Sequence, residues 1–430
     1  LVTGVQTCAL PISQAVSIRG FGPDFSTTLL NGREQTTVGD NRGVEYDQFP
    51  SELISQVVIY KTPSAALVGA GMSGTVDLRT IRPLEYGKQA IAVNARGEWL
   101  SLGALNSGSK DTGYRLSGLY VDQFMDDTLG IAVGIAHMES PTQIERFNAW
   151  GYPNYDATNI VIGGAKPYVT STELKRTGVV GTLEYTPNDN FTTVADVYWS
   201  KFDDSQILRG IEFPLQWSSA SLAPGYTAAG GRITSGTFNG VKGVVRNDAN
   251  ARDATNLALG WNAKFQKDGW MAFTDVSYSH VTRNDTILES YSGTGPAGSG
   301  PYDSLGFTTN SNSTTSFNPS INYADANLIK LTSPQGWGSD VIPGGQVGYV
   351  NYPTVDDELF AWRTGFEREL DMGFLKSVSF GFNYADRTKS LVQDEYFLGL
   401  KNGALSQPIP AGSLLAPTEL GFLGVPGMVS

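Results

Sequence analysis

The chain is poor in the residues on which most protein chemistry depends. It has 430 residues but one cysteine, Cys8, and two histidines, His137 and His280. A single cysteine excludes a disulfide framework. Two isolated histidines supply neither a convincing metal centre nor a serine–histidine–aspartate constellation. Charged side chains make up only 17% of the sequence and the net charge is −12. That is thin for a soluble surface, and the wrong sign for nucleic acid, which needs a basic patch to neutralise phosphates. No run approaches the ~18 apolar residues of a membrane-spanning helix. If a membrane is crossed, strands cross it. No cofactor, metal or catalytic residue is expected.

What is present in quantity is glycine, 50 residues, and aromatic side chains, 11%, set in long alternating segments. Nine strands are expected near 89–99, 112–123, 128–138, 174–186, 190–203, 255–267, 269–283, 358–370 and 373–388. Each is long enough to cross a bilayer when tilted by about 45°. Phe360, Trp362, Thr364 and Phe366 share one face while Ala361, Arg363, Gly365 and Glu367 share the other. Leu129, Ile131, Val133 and Ile135 likewise oppose Gly130, Ala132, Gly134 and Ala136. One face suits lipid, and the small residues on the other leave room for an inner domain. A soluble β-sandwich also alternates, but the connections favour a barrel. Links at 124–127, 187–189, 268 and 371–372 are short, whereas those at 139–173, 204–254, 284–357 and 389–430 run to tens of residues. Tight turns at one end and long loops at the other are the habit of outer-membrane barrels. Trp199, Trp270 and Tyr185 near strand ends fit interfacial girdles, or equally a core.

Residues 13–85 differ in kind and read as a small α/β unit. Short strands are expected at Val16–Arg19, Thr28–Asn31 (closed by the turn pair Asn31-Gly32), Gln56–Tyr60 (buried) and Gly74–Arg79 (half-exposed). Helical turns are expected at Pro50–Ile54 and Pro63–Leu67. Gly69-Ala70-Gly71-Met72-Ser73-Gly74 spells a dinucleotide fingerprint, but it opens a strand rather than a helix, so close backbone approach explains it better. Residues 1–12, LVTGVQTCALPI, lack the composition of a signal peptide and are set aside as a segment foreign to the fold.

Four elements in order carry a family resemblance: Ile18-Arg19-Gly20, Leu30-Asn31-Gly32, Val57 to Gly69, and Gly74-Thr75-Val76-Asp77-Leu78 through Pro83. This resembles the plug of a TonB-dependent outer-membrane receptor. The resemblance implies a mainly β fold: a partial plug at 13–85, then at 88–430 the first nine strands of an antiparallel barrel expected to have about 22. The chain is accordingly read as truncated at both ends, without the TonB box or signal peptide. The implied activity is TonB-dependent import of a small molecule across the outer membrane of a Gram-negative cell, by a monomer held in outer-membrane lipid. It implies ligand contacts from the apical plug loops, here Asp24, Phe25, Asn41 and Arg42. It also implies a latch from Arg19 and Lys61 to barrel acids, expected beyond residue 430. Trp217, Tyr226, Tyr291, Tyr302, Trp337 and Tyr352 in the outer loops offer flat faces to a sugar or an aromatic siderophore, with sugar favoured. A passive porin-like channel and a soluble secreted carbohydrate-binding protein remain the alternatives. The pairs Asp126-Asp127, Asp203-Asp204 and Asp356-Asp357 point to opposite faces of a strand or lie in turns, so they do not form acid–base dyads.

Overall fold

The computed structural model describes residues 16–62, 67 and 71–430. The segment 1–12 set aside above lies outside them, as do most of the helix expected at 63–67 and Gly69-Ala70 of the glycine motif. The N-terminal unit is a four-stranded sheet of β1 (Ser26–Leu30), β2 (Arg33–Glu34), β3 (Gln56–Tyr60) and β4 (Gly74–Arg79), in the order β2-β1-β4-β3. The turn between β1 and β2 is Asn31-Gly32, with φ of 52° and 77°. Such left-handed pairs match the twist of the flanking strands. Asp77 accepts a hydrogen bond from Gly32 N at 2.8 Å, which ties this turn to β4.

Two expectations need correction here. Val16–Arg19 is not a strand; Ile18 makes a single bridge to Phe21. The burial of two strands is reversed. Gln56–Tyr60 lies at the sheet edge with Val57 exposed, while Gly74–Arg79 is central and buried. The misreading came from Asp77, whose carboxylate is buried because it serves the turn and Arg79 Nε (2.9 Å) rather than solvent. The helical turn expected at Pro50–Ile54 is present as a 3-10 turn, Ser51–Leu53, and among the described residues the one α-helix is α1 (Pro83–Tyr86).

The rest of the chain is built on nine long strands: β5 (Ala90–Trp99), β6 (Thr112–Phe124), β7 (Leu129–Gly151), β8 (Gly164–Asn188), β9 (Phe191–Pro214), β10 (Val244–Lys267), β11 (Trp270–Gly293), β12 (Thr354–Met372) and β13 (Leu375–Val392). Each pairs antiparallel with its neighbours in chain order. The wall is not closed: among the described residues β5 and β13 each pair with only one long strand. Connections at 125–128, 189–190, 268–269 and 373–374 are tight, and those at the other end are long. Asp268 and Gly269, at φ 49° and 73°, make a hairpin turn of the same left-handed kind as Asn31-Gly32.

All nine strands lie where expected at their tight-turn ends, but several run much further at the other. β7 to β11 have 23 to 25 residues, more than twice the ~9–11 that cross a bilayer. The expected long loop 139–173 shrinks to 152–163. The apolar–polar alternation that marked the strands fades above the crossing, where both faces meet protein or water.

The face turned away from the N-terminal unit carries three bands. Along β9 it reads Thr193, Ala195, Val197, Trp199, then Lys201, Asp203, Ser205, then Ile207, Arg209, Ile211, Phe213. The lowest band is apolar and bare; Val133, Leu183, Val197, Leu259, Trp362 and Phe380 are exposed. Its upper edge is marked by Glu139 in β7 and Asp386 in β13. Asp386 connects through Phe360, Tyr278, Leu259, Val197 and Gly181 to Val133 in register. The edge therefore drops six residues, 139 to 133, over six strands. One residue per strand, at a rise of about 3.3 Å and a spacing of about 4.8 Å, is a slope of roughly 35°. That is the tilt of strands in outer-membrane barrels, so a band with this slope runs perpendicular to the axis of such a barrel.

Above the charged belt the same face is covered. Val169, Ile211, Phe213 and Val245 are fully buried beneath Phe238, Leu305, Phe317 and Tyr323 of the long connections and Leu420, Val425 and Met428 of the final hairpin. The segment 389–430, expected as an outer loop, begins as the end of β13. It then adds strands at 395–398 and 406–408 that pair with 348–351 and 330–332.

Candidate functional site

The N-terminal unit sits against the inner face of the wall, at the level of the bare apolar band. Phe49, Leu53, Leu30 and Ile18 share a core with Ala136, Val180, Tyr198 and Ala258 of the strands. The small inward residues make this approach possible. A Cβ on Gly178 would meet Pro50 Cγ at 2.5 Å, and one on Gly260 would fall within the Arg33 guanidinium.

Arg33 is the buried cation of this interface. Its Nη1 lies 2.7 Å from Asp196 Oδ2. Its Nη2 and Nε hold Asp275 in a fork at 3.0 and 3.1 Å. Asn262 and Arg363 support Asp275 from the wall at 3.1 and 3.4 Å. A second contact straps the loop after β2. Asp357 accepts from Thr37 N at 3.0 Å, Arg283 donates to Asp40 at 2.7 Å, and Lys389 Nζ donates to the carbonyls of Gly39 and Asn41 at 2.5 and 2.8 Å. A third joins Arg82 to Glu184 at 3.1 Å.

Arg19, expected as a latch, is exposed in a left-handed turn, and Lys61 is exposed after β3. The buried partner of the wall acids is Arg33 instead, and its acids lie within the chain. A sequence signal for it existed: Asp196 and Asp275 are acids at inward mid-strand positions, where an ionised group needs a partner. The adjacent-acid reading holds for the strand pairs. Asp357 faces inward and is fully buried, whereas Asp356 faces outward beside His280 at 3.1 Å.

Above the N-terminal unit the inner face opens into a concave ledge. A cavity of about 360 Å³ is lined by Thr142, Ile144, Thr172, Asp204, Gln206, Asn250, Arg252, Asp285 and Ile287. These side chains come from β7 to β11 and form transverse rows. One row runs in register Thr142–Thr172–Gln206–Asn250–Ile287–Asn351–Glu395. The row beneath it holds Asp204, Arg252 and Asp285. The row above begins with Ile144, Thr170 and Leu208 and ends with Glu289, Tyr349 and Phe397. A larger cavity, about 560 Å³, lies toward the tight-turn end, beside Arg79, Arg82 and Arg363.

The apical loops of the N-terminal unit lie beneath the ledge, and Glu45 approaches its lowest row at Arg252, 3.7 Å away. Asp24 accepts from Gly43 N at 2.8 Å, which brings the Pro23–Thr27 loop against the 39–46 loop. Phe25 is half-exposed beside Phe21. Asn41 and Arg42 are exposed next to Gly43. Of the expected ligand-facing residues, Asp24 therefore ties the two apical loops together, and the other three are exposed at that junction. Sequence reasoning missed the wall half of the site. Glu45 connects the halves, 3.7 Å from Arg252, which in turn forks onto Asp285 at 3.0 and 3.2 Å. Burial pushes the Glu45 carboxyl above its ordinary range, against the pull of Arg252 and Arg283. Burial likewise pushes the Tyr46 phenol up to about 12.

The ledge is rich in acceptors. Oε2 of Glu45, Oδ1 of Asp204, Oδ1 of Asn250 and Oδ1 of Asn351 are buried without a hydrogen-bond partner among the described residues. Near the lowest row of the ledge four carboxylates (Asp40, Glu45, Asp204 and Asp285) face two guanidinium groups, Arg252 and Arg283. Among the described residues no group of three or more His, Cys, Asp or Glu is placed to hold a metal ion. Of the outer aromatics, Tyr291 is buried against Trp337 and Arg246, and Tyr226 packs on Tyr155. Trp217, Tyr302 and Tyr352 remain exposed.

Residues 2–76 match the family model of the TonB-dependent receptor plug domain; the match begins inside the segment set aside above. Among solved structures the chain is similar to the ferric citrate transporter FecA in its unliganded form (9% identity, 89% of this chain, 52% of that one, TM-score 0.27). It is also similar to the outer membrane transporter YddB from Escherichia coli (10%, 89% and 68%, TM-score 0.31) and the copper transporter OprC (12%, 91% and 72%, TM-score 0.31). The chain thus spans about half the length of FecA, at 52%. No curated protein matches it. The match identifies a TonB-dependent receptor plug domain at the N-terminal end of the chain, and the four-stranded unit docked against a tilted antiparallel wall is consistent with it.

Proposed function

We propose that the protein captures a nutrient at the ledge above the plug and imports it across the outer membrane in a TonB-dependent step, with a carbohydrate as the favoured ligand. The observation that carries this reading is the pairing of a plug with an open, acceptor-rich cavity directly over its apical loops. Unpartnered acceptors ask for donors, and sugar hydroxyls supply them at low cost. Asp24, Phe25, Asn41 and Arg42 contribute from the plug, and Asp204, Asn250, Arg252 and Asp285 from the wall. Outer-membrane lipid covers the bare apolar band, and TonB with its inner-membrane energising complex displaces the plug. The receptor acts as a monomer and performs no covalent chemistry.

Growth-linked uptake by the full-length receptor, with and without TonB, tests this directly. Uptake of a saccharide that stops when TonB is removed is the expected result. Uptake indifferent to TonB points to a passive channel, and TonB-dependent uptake of a ferric siderophore but no saccharide overturns the ligand class.

A further inference from the structure

We propose that the ledge is a track with several subsites for a linear oligosaccharide, ending on an aromatic platform made by Tyr349 and Phe397. This deepens the carbohydrate reading above and rests on it.

The row Thr142 to Glu395 crosses the wall in register, one side chain per strand. Its six steps of about 4.8 Å extend roughly 29 Å, far beyond one sugar ring. The strand spacing is close to the length of a pyranose unit, so successive side chains meet successive units. Donors within the row are already committed to neighbours. Gln206 Nε2 donates to Thr172 at 3.3 Å, Asn250 Nδ2 to Gln206 at 3.1 Å, and Asn351 Nδ2 to Glu395 at 3.5 Å. The carbonyl oxygens of Asn250 and Asn351 are left unpartnered on either side of Ile287. Acceptor, apolar methyl, acceptor is the complement of a sugar ring, whose hydroxyls flank a C–H face.

One position above the row, Tyr349 and Phe397 oppose each other across the 348–351 and 395–398 strands, with ring centroids 6.3 Å apart. Glu395 shares this face with Tyr349, two residues from Phe397 on the same strand. Phe397 is 44% exposed. A half-exposed ring beside a hydrogen-bonding ledge is suited to stack on a terminal sugar. The row contains no cation, which distinguishes it from a track for a polyanion.

The test is calorimetric titration of the full chain in detergent with linear glucose oligomers of one to six units, in both α- and β-linked series. Affinity should rise with length over the first several units. Phe397→Ala should weaken the longer oligomers about three- to tenfold, the worth of one aromatic contact. Phe397→Trp should restore binding, which separates stacking from folding. Asn250→Leu should weaken oligomers of every length that reaches it. Binding that is independent of length and insensitive to Phe397→Ala overturns the track while leaving the carbohydrate reading in place. Failure of every saccharide in both series overturns the two together.

Discussion

The lower and upper halves of the wall are made from the same strands with the same parity, yet they face different surroundings. In the lower half the outward face is apolar and bare, and the inward face is packed tightly against the plug. In the upper half the outward face is apolar and covered by the long connections, and the inward face is open and polar. The charged belt through Lys201, Asp203 and Asp253 separates the two. Alternation therefore tells which residues share a face but not what covers it. Lipid and a protein core select the same side chains, and only the belt shows where one gives way to the other.

The inward faces differ in how polar groups are treated. Below the belt the central charges of the plug interface are paired, with Arg33 forked onto Asp275 and bonded to Asp196, although Asn256 and Ser200 beside them keep side-chain atoms without a partner among the described residues. Above it the acceptors of Asp204, Asn250 and Asn351 wait for a donor. Removing a partner should thus be costly below and mild above. Arg33→Ala strands two carboxylates in the plug interface. It should cost about 3–5 kcal/mol, the usual range for breaking a buried pair, read as lost hydrogen-exchange protection in Ser26–Leu30 and Gly74–Arg79. Arg33→Ala combined with Asp196→Asn and Asp275→Asn should recover part of the loss. If Arg33→Ala alone leaves protection intact, the plug is held by its apolar core and the strap at Thr37 instead.

The two outward faces can be separated in the same manner. Phe213 packs on Phe317 and Tyr323, with centroids 5.2 and 5.7 Å away. Phe213→Ala should cost about 3–5 kcal/mol, confined to the cap, so limited proteolysis should cut the 215–243 and 294–353 connections first. Leu259→Arg, in the bare band, should instead impair membrane insertion by about 2–4 kcal/mol without loosening the cap. Ser205→Arg, in the belt on β9, should stay within about 0.5 kcal/mol. Equal effects from Leu259→Arg and Ser205→Arg would mean that the lower band does not face hydrocarbon.

The lower half was readable from sequence because a bilayer imposes a strict rule on each strand. Leu129-Ile131-Val133-Ile135 opposite Gly130-Ala132-Gly134-Ala136 states both its faces in eight residues. The upper half obeys no such rule. Gln143-Ile144-Glu145-Arg146-Phe147 continues β7, yet its outward residues meet a loop and its inward ones meet the ledge, so no period stands out. The ledge was hidden for a related reason. Thr172, Gln206, Asn250 and Asn351 are unremarkable singly and become a row only through strand register. The plug residues proposed for the site could be named because they lie in loops between recognisable motifs. Asp77 was misjudged, and Arg33 passed over, because an acid or a cation in a short strand looks solvent-facing until its partner is known.

The smallest effect tests the junction between the halves. Glu45 belongs to the plug but faces Arg252 and Asp285 of the wall, with Asp204, Arg283 and its own loop's Asp40 nearby. Burial raises its carboxyl above the ordinary value of 4.5, so the docked plug binds that proton more tightly than the undocked plug does. The stabilisation from this proton is therefore full below pH 4.5 and is lost as pH rises through the raised value, then stays constant. Plug docking, followed by hydrogen exchange across this window, should weaken slightly with rising pH. Glu45→Gln should flatten that dependence, because an amide presents the same acceptor without a titration. Arg252→Met should steepen it, since the guanidinium is what keeps the carboxylate tolerable. A slope that survives Glu45→Gln would assign it to the wall acids, and the junction would then be sensed from the ledge side rather than from the plug.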